Sequence, residues 1–181
     1  MPSEITTKGI PHKKLEPMLE KIKQRVFKHE VIEDMLKKYK IDRSELDLVP
    51  MTFAKIPVSA RTDHAVIYIN VDLAEDGDFD EDDHYIAHEL THFCQQTTGS
   101  KPTPGSTEDN YLDNPTEQEG FRNQSKYIAE TKGEEEAEDY IEQVLDHHTK
   151  SDADDKKRES RRKKLLDLAS EVSIDLSKIA G

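Results

Sequence analysis

The chain has 181 residues, of which 36% are charged and 33% hydrophobic, with a net charge of −13, no Trp and one cysteine, Cys94. The length fits one domain with a tail, and so polar a composition supports a modest core with part of the chain solvated. The acidic balance makes nucleic acid or an anionic membrane a poor partner, a single thiol rules out an internal disulfide, and no run approaches the roughly 20 apolar residues of a membrane span.

Residues 1–13 contain two prolines and little apolar content, and read as a loose lead-in. From about Leu15 to Tyr39, apolar residues at helical spacing (Leu15, Met18, Leu19, Ile22, Val26, Val31, Met35, Leu36) predict one long amphipathic helix or two with a break near Lys28-His29. A shorter element is expected over Arg43–Leu48, ahead of Pro50. Met51–Ser59 and Ala65–Asp72 are rich in β-branched and aromatic residues and read as a hairpin, or as neighbouring strands of a small sheet, with Arg61–His64 as the turn. An acidic loop over 75–83 then supplies carboxylates suited to capping the next helix, expected from about Asp82 to Thr98 with Gly99 as its stop. After a Pro/Gly/Ser loop over 99–110, a helix starting near Pro115 runs to Gly133, and Ala137, Tyr140, Ile141, Val144 and Leu145 mark another. The expected class is α+β, with a helical N-terminal region (1–50), a core (51–148) and a charged C-terminal tail holding a short helix (149–181).

The helix expected at Asp82–Thr98 contains His88-Glu89-Leu90-Thr91-His92, an H-E-x-x-H sequence. With eight His and twenty Glu in the chain, chance alone yields this pattern about 0.04 times. On a helix the two imidazoles share a face about 6 Å apart along the axis, and can converge on one Zn²⁺. Glu89 lies beside that face, placed to act as general base on a zinc-activated water. His84 extends the stripe, but His84 and His92 are about 12 Å apart along the axis, so His84 reads as a first-turn surface residue. His147 and His148 read as a solvated helix end, and Cys94 as a small buried side chain.

A catalytic zinc takes a third protein ligand. The extended form with a further glycine and histidine is absent, since Gln95 and Thr98 occupy those places. Glu117 and Glu119 in NPTEQEGF are the available carboxylates, and about 200° of helical rotation separates them, so only one can face a metal. HELTHFCQQ followed by this Glu-bearing segment resembles small gluzincin-type zinc metallopeptidases, the compact phage and prokaryotic H-E-x-x-H proteins that include the ImmA/IrrE-like group. The resemblance covers about residues 50–130. It implies a zincin-like core, a zinc cofactor, hydrolysis of a protein or peptide substrate, and Glu117 as third ligand, with Gly120 where the family has a small alanine and Phe121 where it has a polar residue. Apart from the resemblance, the single cysteine, with no apolar signal core near the N-terminus and no membrane span, reads as a cytoplasmic chain, or a virion-associated one if phage-encoded.

Tyr111 and His64 are candidate hydrogen-bond donors to an oxyanion, with ordinary packing as the alternative role of the tyrosine. The strand Ala65–Asp72 could border the cleft and accept an extended substrate. The stretch KKRESRRKK, with seven basic residues in nine, reads as a solvated helix or a segment docking on the chain's own acidic surface rather than as a nucleic-acid patch, and the tail that holds it is a candidate site for a protein partner. The competing function is a catalytically silent binding or regulatory protein that keeps the peptidase fold.

Overall fold

The structure is a computed structural model that describes residues 5–75, 82–99, 114–148 and Lys163. The chain divides into two compact units, residues 1–101 and 102–181. Together their described residues make an α+β protein of helices and one three-stranded mixed sheet, and none of the helices is long and apolar enough to cross a membrane.

In the first unit the lead-in is tied down, because Thr6 and Lys55 exchange backbone hydrogen bonds as an antiparallel bridge. Helix α1 (His12–Val26) buries Ile22 and Val26, and α2 (Glu30–Tyr39) buries Val31, Ile32, Met35 and Leu36. The break between them falls at His29, whose Nδ1 accepts the Val31 N–H and so caps α2. A 3-10 helix (Arg43–Leu48) follows, capped by Asp42, and hydrogen bonds from the Ser44 backbone and hydroxyl hold that carboxyl below its ordinary pKa.

Strand order is β1 (Met51–Ala54), β3 (Val66–Asn70), β2 (Ala60–Asp63), with β1 parallel and β2 antiparallel to β3. Of the two arrangements expected for residues 51–59 and 65–72, the neighbouring strands are present and the hairpin is not, since β1 and β3 run parallel, and the expected turn is displaced. Residues 60–63 form a strand, and the reversal is made by His64 and Ala65 alone, at φ 48° and 60°. Two successive residues with positive φ make the tight reversal that matches strand twist, at some steric cost in the absence of glycine. The reading of 61–64 as a turn failed because Arg61, Thr62 and Asp63 are polar, and an edge strand tolerates polar residues that a central strand does not. β3 is also shorter than expected: Val71 and Asp72 begin the short helix α3 (Val71–Glu75), with Asn70 Oδ1 accepting the Asp72 N–H. Since both edges of β3 are occupied, it cannot receive a substrate strand.

Helix α4 (His84–Thr97) packs against α1, α2, β2 and β3. Ile86, Ala87, Leu90, Thr91 and Cys94 are all buried, so the helix is enclosed on more than the single face expected from Ile86, Leu90 and Phe93. Its start is anchored by Arg25 Nε donating to Asp83 at 2.7 Å. Asp83 makes no capping hydrogen bond, contrary to the expectation that the acidic loop caps this helix; the loop's residues 76–81 lie outside the described residues. Gly99, at φ 82°, ends the element as expected.

The second unit contains α5 (Pro115–Lys132) and α6 (Glu134–His148), which pack on each other across Gly133. Asn114 caps α5 by accepting the Thr116 N–H, with proline at the first turn. Phe121, Tyr127 and Ile128 are buried from one helix, and Ala137, Ile141, Val144 and Leu145 from the other, while Gln124 donates to the Tyr140 hydroxyl at 2.8 Å. The charged tail and its expected short helix lie outside the described residues, apart from Lys163.

Candidate metal centre

The two histidines of the motif meet because they are four residues apart on a regular helix held from several sides. His88 is buried and His92 half-buried, and their Nε2 atoms stand 3.1 Å apart with the rings at 72° to each other. An ion about 2.0–2.1 Å from both nitrogens would see them at about 100°, near the tetrahedral angle zinc adopts.

The tautomer of His92 is set by a neighbour. Its Nδ1 lies 2.9 Å from Oε1 of buried Gln95, which can only accept, so the ring proton sits on Nδ1 and Nε2 carries a lone pair towards His88. Gln95 stands one helical turn after His92, a position at which the sequence offered only the absence of a glycine.

Glu89 is buried, and Thr62 of β2 donates to its Oε2 at 2.6 Å. The same hydroxyl lies 3.0 Å from the Glu89 backbone oxygen. Farther along α4, the Gln96 side chain accepts from the Ala65 N–H at 2.8 Å and donates to the Thr62 carbonyl at 3.3 Å. Helix and hairpin are thus joined at two points seven residues apart, two turns along one face. The polar character of β2 was the visible signal for these contacts, and it pointed instead to a turn.

Of the remaining candidates, His84 is buried, its ring 4.3 Å from that of Tyr85, so its reading as a surface residue is corrected. An α4 enclosed on several sides leaves no solvated stripe for it. His64 is an exposed turn residue paired with Asp63 at 2.9 Å. Cys94 is buried, as expected. Glu117 and Glu119 are both half-buried in the first turns of α5, in the second unit. Tyr111 and the side chains of His147 and His148 lie outside the described residues.

Comparison with models of protein families, with curated proteins and with solved structures gave no match.

Proposed function

We propose that the chain is a zinc-dependent metallopeptidase of zincin-like architecture, cutting protein or peptide substrates. His88, His92 and Glu117 would hold the metal, a set of two imidazole nitrogens and one carboxylate oxygen that suits zinc. The observation that carries the reading is the His88–His92 apposition at 3.1 Å, with Gln95 turning the His92 lone pair towards its partner. Zinc bound there supplies Lewis acidity and an acidified water. Glu89, buried beside the pair in sequence and fixed by Thr62, takes the proton of the attacking water and passes it to the leaving amine. Tyr111 is the proposed oxyanion donor. A cytoplasmic setting is proposed from the single buried cysteine, and a protein-binding role from the charged tail.

The test pairs metal analysis with hydrolysis. Protein purified without added metal should hold close to one equivalent of zinc, and should cleave casein or members of a mixed peptide library. Glu89→Gln should keep the zinc and lose at least about 100-fold in rate, the usual contribution of a general base. Absence of zinc with no thermal shift on adding it would sink the proposal. Full zinc occupancy without cleavage would favour a silent binding protein.

A further inference from the structure

We propose that Thr62 is the positioning residue for Glu89, holding one carboxylate oxygen so that the other is presented to the reacting water. This inference rests on the peptidase reading and adds to it a residue from outside the H-E-x-x-H helix.

A glutamate side chain has three rotatable bonds, and a general base must hold its oxygen within hydrogen-bond reach of the proton it removes. Among the described residues, the one group hydrogen-bonded to the Glu89 carboxylate is the Thr62 hydroxyl, at 2.6 Å from Oε2. A hydroxyl donating to a carboxylate makes a short, charge-assisted bond, stronger than a neutral one. It engages Oε2, and none of the described residues donates to Oε1.

Thr62 is itself fixed. Its backbone pairs with Ile67 of β3, and its carbonyl accepts from Gln96, a residue of the same helix as Glu89. Gln96 also accepts from the Ala65 N–H, so α4 grips the hairpin at its turn while the hairpin grips Glu89. A donor tied in this way to the helix that bears the base has little freedom to let the carboxylate swing. The bland alternative is that Thr62 merely satisfies a buried carboxylate, with no bearing on turnover.

Two measurements on the full-length chain separate these roles. The first uses metal-free protein and thermal melting of Thr62→Val, Glu89→Ala and the double variant. Thr62→Val keeps the side-chain shape and removes the donor, so the double variant should lose less melting temperature than the sum of the single losses. Strict additivity overturns the contact. The second uses zinc-loaded protein and a fluorogenic casein-derived peptide. Thr62→Val should lower kcat by about 10–100-fold with KM within about twofold and zinc content unchanged, and Thr62→Ser should restore most of kcat. Unchanged kcat in Thr62→Val, or equal losses in the Val and Ser variants, overturns the positioning role while leaving the peptidase reading intact. A zinc-loaded wild-type chain that cleaves nothing overturns that reading and this role with it, even where the melting data show coupling.

Discussion

Ten of the fourteen residues of α4 are buried, against six of the eighteen in α5. Yet each helix is assigned part of one proposed metal set. The histidine helix lies among two helices and two strands, with its side chains bonded to the neighbouring hairpin, so its imidazoles are placed by the core of the first unit. The glutamate helix is placed within its own unit by one partner helix and a capping asparagine. The difference teaches that the proposed nitrogen donors and the proposed carboxylate donor are secured by separate means: the first by close packing, the second by helix phase and a cap.

The sharpest way to break that contrast is to loosen α4. Leu90 is fully buried between Glu89 and Thr91, so Leu90→Ala should cost about 2–5 kcal/mol in chemical denaturation, through lost burial and the cavity left behind. The half-buried Arg122 on α5 should cost no more than about 0.5 kcal/mol when replaced by alanine. Similar values for the two would mean that α4 is no better secured than α5.

A smaller effect sharpens the helix-phase half of the comparison. Glu117→Ala should weaken zinc binding about 100-fold in competition with a chelator, and Glu119→Ala should change it less than about threefold, because about 200° of rotation separates the two side chains. The reverse ranking would move the ligand to Glu119 and show that the assumed helix phase was wrong by two residues.

The smallest effect concerns the hairpin that braces α4. Ala65 adopts φ 60° without the freedom of glycine. Ala65→Gly should relieve about 1–2 kcal/mol of strain, offset by the greater entropy of glycine in the unfolded chain, for a net gain of about 0.5 kcal/mol. A loss of stability would show that the turn is unstrained and contributes through its methyl group instead.

Much of this organisation was legible in the residues, and the limits have physical causes. The break at His29, the stops at Gly99 and Gly133 and the start at Pro115 follow from local backbone chemistry that acts within a few residues. The pairing of His88 with His92 follows from helix geometry alone. β2 was not legible, because Arg61, Thr62 and Asp63 have no apolar alternation and the turn beside them lacks glycine. Thr62 and Gln96 escaped notice for a related reason: their roles depend on a hairpin meeting a helix about 30 residues away, which no local window contains. The burial of His84 was missed because the apolar residues of α4 were assigned to one face, when α4 is enclosed on several.

Cys94, the chain's one thiol, lies two residues beyond His92 and is 1% exposed. A thiol-modifying reagent can reach it only through an opening of the first unit, so the labelling rate at this single atom reads the frequency of that opening. Any ligand that binds the closed form alone slows the reaction by the factor 1 + [L]/Kd. The native side chain thus serves as a built-in clock for the closing of the first unit, and through it for the proposed metal binding at the neighbouring histidines, with no probe to be engineered and no substrate to be known.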